Sequence, residues 1–108
     1  APDKKHCNFN RNLKDTTPVG RYSPLGDSLY GCVDMVGNVW EWTLSLKSPY
    51  PYNCYDGRED PNKGDFRVQR GGSFYDDLFH VRCSARRFRT PDDYSLGDCG
   101  FRVCVFPI

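Results

Sequence analysis

Glycine and proline occur so often in this chain that few long stretches of regular structure fit between them. The 108 residues include 10 glycines and 8 prolines, and aliphatic side chains are few. Because proline removes a backbone donor and glycine weakens the interior of a helix or strand, long elements are disfavoured. The sequence therefore excludes helical bundles and doubly wound α/β folds, and it predicts one irregular, loop-rich domain packed around aromatic side chains.

Charge and hydropathy exclude two classes of partner. With 15 Lys and Arg against 14 Asp and Glu, the formal net charge is +1, which gives no overall field to hold nucleic acid or an anionic membrane. No apolar run approaches the roughly 20 residues of a membrane span, and residues 1–5 lack the apolar stretch of a signal peptide behind them. We therefore expect a soluble monomer that binds no nucleic acid and does not insert into a membrane.

Six cysteines are enough for three disulfides in an oxidising compartment. Fifteen pairings are possible, and spacing does not choose among them. The absence of a C-x-x-C pair disfavours a structural zinc site or a thioredoxin-like redox pair. We expect buried or disulfide-bonded cysteines, and the compartment stays open between the cell surface or exterior, if they are paired, and the cytoplasm. They are Cys7, Cys32, Cys54, Cys83, Cys99 and Cys104.

Two short segments have the pattern of strands. Residues 67–70 (RVQR) lead into a glycine pair where the chain can turn sharply, and residues 101–106 alternate like a closing strand. The segment 31–42 (GCVDMVGNVWEW) is interrupted by Gly-Asn, which favours a turn between two half-buried pieces over a continuous helix. Residues 47–66, dense in Pro, Tyr, Asp and Gly, predict an ordered surface excursion.

Two carboxylates, Asp34 and Glu41, lie seven residues apart around that turn. Hard cations such as Ca²⁺ take about six to eight oxygens, which a loop supplies by mixing carboxylates with backbone carbonyls. Carbonyls near Gly37 and Val39 would complete such a set. From spacing alone, solvated or capping carboxylates explain the same pattern.

Five blocks of the sequence together resemble the formylglycine-generating-enzyme (sulfatase-modifying-factor) family, in that family's order and spacing. The resemblance implies an α+β variant of the C-type lectin fold, with a small twisted antiparallel sheet in a mostly irregular, loop-rich domain. It covers most of the chain and is most specific at GNVWEW and RGGS. The blocks are Thr17–Gly20, Tyr30–Thr43, Arg67–Phe74, Arg82–Arg86 and Gly100–Arg102.

The resemblance implies structural calcium. By motif position, the side chains of Asp34 and Glu41 with the two carbonyls named above would form one site. Asn8 and the Phe9 carbonyl match part of a second site, where the loop that should complete it is shortened and Arg11 falls about where an acid is expected.

The family's oxidase holds copper with two cysteines a few residues beyond the GGS block. Here Asp76 stands at the first of those positions, no cysteine precedes Cys83, and Cys83 matches a structural cysteine of the family. Because soft Cu(I) requires soft ligands, we expect no copper and no oxidase chemistry. A non-haem iron relative uses three histidines, whereas this chain has only His6 and His80. The alternatives are a divergent oxidase with an unrecognised metal site and an inactive remnant of one.

Composition changes abruptly at the RGGS block. Lys, Glu, Gln, Met and Trp occur 11 times in residues 1–70 and never in residues 71–108, an outcome with a chance of roughly one in a hundred under random placement. These five amino acids are the ones that no codon ending in C or T encodes. The segment resembles the variable proteins of diversity-generating retroelements, which randomise adenines of AAC or AAT codons; chance or codon bias is the alternative.

We therefore predict a variable region within residues 71–104 that presents a diversified surface to a protein ligand. Aromatic and arginine side chains are typical of interface hot spots. Five Arg balance five Asp in residues 71–108, which disfavours a polyanion as the partner. The predicted ligand-binding residues are Tyr75, Asp76, Asp77, Leu78, Phe79, His80, Ala85, Arg87, Phe88, Arg89, Tyr94, Ser95 and Leu96.

Overall fold

The computed structural model describes residues 1–93 and 97–107, and its regular elements in those ranges are four β-strands. They are β1 (Trp40–Leu46), β2 (Arg67–Arg70), β3 (Arg86–Arg89) and β4 (Cys99–Gly100). No α-helix occurs in these ranges, so the helical part of the α+β prediction is wrong for them. The same residues accordingly contain no helix that is long and apolar enough to cross a membrane.

The four strands form one sheet in the order β3-β2-β1-β4. β2 pairs antiparallel with both β1 and β3, whereas β4 runs parallel to β1. The predicted antiparallel pairing is therefore confirmed for β1–β2 and β2–β3 and wrong for β1–β4. The chain leaves β3 at one edge of the sheet and returns to the opposite edge in the direction of β1, which makes the sheet mixed.

The closing strand is shorter than the alternation of residues 101–106 predicted. β4 ends at Gly100, and Phe101, Val103 and Val105 are 78%, 84% and 92% exposed. Alternation supplies the side-chain pattern of a strand, but a strand also needs a hydrogen-bonding neighbour. No backbone hydrogen bond joins residues 101–107 to the rest of the described chain.

The predicted turn in segment 31–42 is confirmed. Gly37 and Asn38 both have positive φ, 79° and 68°, and β1 begins two residues later. A Cβ atom at Gly37 would lie 2.4 Å from the carbonyl oxygen of Asn8, so only glycine fits there. The Asn38 amide donates to that Asn8 oxygen (2.9 Å), and the Phe74 amide donates to the Asn38 oxygen (2.9 Å). The turn thus joins the N-terminal segment to the segment after β2.

The strand at residues 67–70 and the sharp turn after it are also confirmed. Val68 and Gln69 are buried in β2, and the two following glycines have φ of 97° and 75°. A Cβ atom at Gly72 would lie 2.9 Å from the His80 carbonyl oxygen. This close approach brings the start and the end of the segment 73–81 together.

A small core fixes the ends of that segment. Val81 is fully buried with Cys7 and Phe9, and Phe74 is 5% exposed. Burying a side chain of this size contributes about 1.5–3 kcal/mol. Both ends of the segment are therefore held by apolar packing.

The prediction that cysteines are buried or paired is wrong for most of them. All six are free thiols; Cys7 is buried and Cys99 is half-buried, whereas the remaining four are exposed. Burial raises the pKa of the Cys7 thiol to about 11, so it stays protonated at neutral pH.

Candidate ligand-binding surface

The loop at residues 75–80, which we name the display loop, exposes apolar side chains to solvent on a backbone that hydrogen bonds hold in place. Tyr75, Leu78 and Phe79 are 54%, 51% and 66% exposed. Short turns shape the loop, since the amides of His80 and Val81 both donate to the Asp77 carbonyl oxygen at 3.1 Å. Large apolar groups on this loop therefore face solvent although the backbone that carries them is ordered by hydrogen bonds.

Arginines lie over two aromatic rings of the display loop. The Arg11 guanidinium carbon is 5.0 Å from the centre of the Tyr75 ring, and that of Arg82 is 4.5 Å from the Phe79 ring. Such contacts contribute about 0.5–1 kcal/mol at exposed sites. The result is a surface that mixes aromatic faces with positive charge.

Asp77 and His80 are the exposed polar groups of the display loop. Their side chains meet at 3.1 Å between His80 Nδ1 and Asp77 Oδ1. The hydrogen bond from His80 lowers the pKa of the Asp77 carboxyl below its ordinary value. Both side chains remain accessible to a partner.

Asp76 behaves differently from the other residues of the display loop. Its Oδ2 accepts hydrogen bonds from Trp40 Nε1 (2.7 Å), the Ser73 amide (2.9 Å) and Ser73 Oγ (2.7 Å). Sequence reasoning placed Asp76 on the exposed surface, whereas in the structure it is half-buried and directed at the core. The available signal was Trp40, because a buried indole N–H requires an acceptor.

The structure also corrects the prediction for the part of the variable region around β3. Ala85 is buried at 7% exposure, and its side chain is not available to a ligand. Phe88 and Arg89 are half-buried. Phe88 lies under the Lys47 ammonium at 4.8 Å, and Arg89 pairs with Asp93 at 2.8 Å.

Arg87 takes part in a polar cluster beneath the sheet. It donates to both oxygens of Asp98 (2.9 and 3.1 Å) and to Gln69 Oε1 (2.8 Å), and its guanidinium lies 4.7 Å from the centre of the Trp40 ring. Burial acts to raise the pKa of Asp98, but Arg87 outweighs it, so the pKa lies below the ordinary value. Arg87 is thus committed to the fold. The remaining predicted residues, Tyr94, Ser95 and Leu96, lie outside the described residues.

At the predicted calcium site, a guanidinium pairs with the Glu41 carboxylate, and the Gly20 amide donates to the Asp34 carboxylate at 2.8 Å. Arg102 donates through Nε and Nη2 to the two oxygens of Glu41 (2.6 and 2.5 Å) and through Nη2 to the Asp34 carbonyl oxygen (3.0 Å). This pairing with Glu41 raises the pKa of Arg102 above its ordinary value. The carbonyl oxygens of Gly37 and Val39 accept no hydrogen bond from described residues.

The second predicted calcium position contains an unpaired acceptor. Asn8 is 1% exposed, and its Oδ1 has no hydrogen-bond partner, whereas its Nδ2 donates to the Asp15 carbonyl oxygen at 2.8 Å. The Phe9 carbonyl already accepts from the Asn12 amide at 3.1 Å. Across the ranges that the structure describes, no group of three or more His, Cys, Asp and Glu side chains is placed to hold a metal ion.

Comparison with known proteins adds relatives that are enzymes. Hercynine oxygenase from Mycolicibacterium smegmatis is 40% identical over 81 residues, covering 68% of this chain and 19% of that protein. Formylglycine-generating enzyme from Mus musculus is 35% identical over 102 residues, covering 86% of this chain and 25% of that protein. The chain spans between 19% and 25% of the length of these relatives.

Other similar proteins are not named as active enzymes. A Bos taurus protein named inactive C-alpha-formylglycine-generating enzyme 2 is 37% identical over 91 residues, covering 80% of this chain and 25% of its own length. Among solved structures, Treponema denticola variable protein 1 superposes with a TM-score of 0.69 and 26% identity over 91% of this chain and 35% of that chain. This likeness supports the resemblance to retroelement variable proteins.

Proteins of several kinds are thus similar to most of this chain. The model of one family, the sulfatase-modifying factor enzyme 1-like domain, matches residues 3–106. The chain therefore belongs to the family of sulfatase-modifying factor enzyme 1-like domains.

Proposed function

We propose that this domain is a non-catalytic binding module that presents the display loop to a protein ligand. The observation that carries the proposal is the exposure of Tyr75, Leu78 and Phe79 on a loop whose flanking residues Phe74 and Val81 are buried. A cluster of exposed apolar groups on an ordered backbone is typical of a protein interaction site. The aromatic and arginine content of this surface is also that of interface hot spots.

The resemblance to retroelement variable proteins supports a diversified surface. The exposed side chains of the display loop all belong to the fifteen amino acids that AAC or AAT codons yield after randomisation of adenine. The coding DNA tests this part of the proposal. We expect a near-identical repeat elsewhere in the genome that carries AAC or AAT at codons 75–80, beside a reverse transcriptase gene. A genome without such a repeat would contradict diversification.

We further propose calcium as a structural ion at Asp34 and Glu41. Two carbonyl oxygens that accept no hydrogen bond, together with two carboxylates, suit a hard cation, which would share Glu41 with Arg102 and Asp34 with the Gly20 amide. The orphaned Oδ1 of Asn8 supports a second ion at that position. When bound, calcium would supply only charge neutralisation and cross-linking of the loops.

Chelation tests the calcium proposal. An ion present at about 100 times its dissociation constant stabilises the folded state by about 2.7 kcal/mol, so EDTA should lower the melting temperature and added Ca²⁺ should restore it. The Asp34→Asn variant should respond less than the unaltered protein. A melting temperature that chelator leaves unchanged would remove calcium from the account.

The alternative function, a metal-dependent oxidase or its inactive remnant, is favoured by the relatives that are named as enzymes. The difference between the two functions centres on Asp76, a hard carboxylate already engaged by Trp40 and Ser73. Anaerobic Cu(I) titration with a competing chelator, followed by an assay for oxidation of a cysteine-containing peptide, separates the binding module from an active oxidase. We expect neither tight copper binding nor oxidation of the peptide. Observing tight copper binding or oxidation would overturn the non-catalytic proposal.

A further inference from the structure

A cleft lies on the face of the sheet opposite Gln69 and Arg87. It has a volume of about 160 Å³ and lies between the sheet and the segment that contains Tyr50 and Tyr52. Leu46 and Val68, both buried, form its apolar base. Its volume suits a group the size of an aromatic ring or a large side chain.

Arg70 lines this cleft without a partner. Arg70 is half-buried in β2, and its side chain makes no hydrogen bond, ion pair or ring contact within the described part of the chain. Glu41 is its cross-strand neighbour in β1 and would be the natural counterion. Both oxygens of that carboxylate are taken by Arg102, which leaves the Arg70 guanidinium without a carboxylate.

A second arginine stands beside Arg70. Arg86 is its partner in the β2–β3 register, and like charges directly opposite each other destabilise a sheet. Arg86 donates to the Ser48 carbonyl oxygen at 3.2 Å, and its guanidinium carbon is 4.2 Å from the centre of the Tyr50 ring. These contacts hold Arg86 in place but do not neutralise its charge.

The acidic groups near the cleft are already paired with other residues of its wall, Arg58, Ser45 and Tyr52. Asp56 is paired with Arg58, and Glu59 accepts from Ser45 Oγ and Tyr52 Oη. No acidic side chain lines the cleft. The cleft therefore combines an apolar base, aromatic walls and two adjacent guanidinium groups that face no anion.

We propose that this cleft binds a carboxylate carried on a small apolar or aromatic body, such as the C-terminal carboxylate of a peptide whose last residue is aromatic. A guanidinium presents two parallel donors that match a carboxylate, and the pair is stronger than a neutral hydrogen bond. Arg70 supplies this fork, Arg86 adds charge, and the apolar body packs on Val68 between the tyrosines. The site is separate from the display loop, so its test is independent of the proposed function.

Titration followed by NMR tests the site with phenylacetate and with the dipeptide acetyl-Ala-Phe, each compared with its amide. We expect both acids to shift the Arg70 side-chain resonance and each amide to bind at least about tenfold more weakly. Arg70→Gln should weaken acid binding by a similar factor while leaving the melting temperature near that of the unaltered protein. Arg21→Gln removes the same charge from a different groove and should change binding less than about twofold.

The comparison of the two acids identifies the source of the carboxylate. Tighter binding of the dipeptide assigns the site to peptide termini, and tighter binding of phenylacetate assigns it to small aromatic acids; both support the shared chemistry. Equal affinity for acid and amide would overturn the proposal. So would failure of both acids to bind, or an Arg70→Gln variant that binds them as well as the unaltered protein does.

Discussion

The display loop and strand β3 belong to the same segment without Lys, Glu, Gln, Met or Trp, yet they use their side chains in opposite ways. Tyr75, Leu78 and Phe79 are more than half exposed in the loop. In β3, Arg87 is tied to Gln69 and Asp98. The contrast shows that a restricted set of amino-acid types identifies a segment but does not predict which of its side chains are exposed to a ligand. Strand register and core contacts decide that.

Removal of Arg87 should have the largest effect on stability. Arg87→Ala leaves the Asp98 charge without its partner, and breaking a buried pair in this way costs about 3 kcal/mol. Urea unfolding of the variant measures the loss. Arg11→Ala, which removes an arginine that stacks on the exposed ring of Tyr75, is the matched control and should cost less than about 1 kcal/mol. Equal losses of unfolding free energy for the two variants would show that the arginine of the strand is no more important for stability than the arginine beside the loop.

Asp76 should contribute to stability as Arg87 in β3 does, although it lies in the display loop. Asp76→Ala leaves Trp40 Nε1 and the Ser73 amide without their acceptor, which costs about 2 kcal/mol. Asp76→Asn retains one acceptor oxygen and should recover part of this loss. Asp77→Ala, which removes an exposed carboxylate that accepts from the Phe79 amide, serves as control and should cost no more than about 1 kcal/mol. An Asp76→Ala variant as stable as the unaltered protein would show that Asp76 does not stabilise the fold and is free like the exposed side chains of the display loop.

Acid should weaken the strand region only well below neutral pH, when Asp98 becomes protonated. Arg87 holds the pKa of Asp98 below 3.8, its ordinary value, against the opposing effect of burial. The stability from this pair is present above that ordinary value and is lost as the pH falls through the lower folded-state pKa. The free energy of unfolding, measured between pH 7 and pH 2, should fall at the acid end. That fall should be smaller in Asp98→Asn, and identical slopes would show that Asp98 does not carry it.

The sequence predicted the elements that depend on local chemistry. The strand Arg67–Arg70 and the two glycine turns follow from φ requirements that any chain must satisfy. The strand expected at residues 101–106 failed because alternation does not reveal whether a neighbouring strand exists. The parallel pairing of β4 with β1 likewise depends on how the chain crosses the sheet, which short-range patterns do not record.

At the candidate site, the sequence predicted which residue types occur but not whether each side chain faces solvent or the core. Asp76 was expected to face a ligand, and its contact with Trp40 joins residues 36 positions apart. Ala85 satisfies the codon pattern and yet is buried, because it immediately precedes β3 against the sheet. Arg70 drew no attention in the sequence, since its lack of a counterion follows from the pairing of Glu41 with the distant Arg102.

The stability of a triple variant in the display loop tests the central claim most directly. Tyr75→Ala, Leu78→Ala and Phe79→Ala together remove the exposed apolar groups. Because surface substitutions cost within about 0.5 kcal/mol each, the variant should unfold in urea within about 1.5 kcal/mol of the unaltered protein and with the same cooperativity. Global unfolding, or a loss as large as that of Arg87→Ala, would show that these side chains form part of the core and would contradict the display of this loop to a ligand.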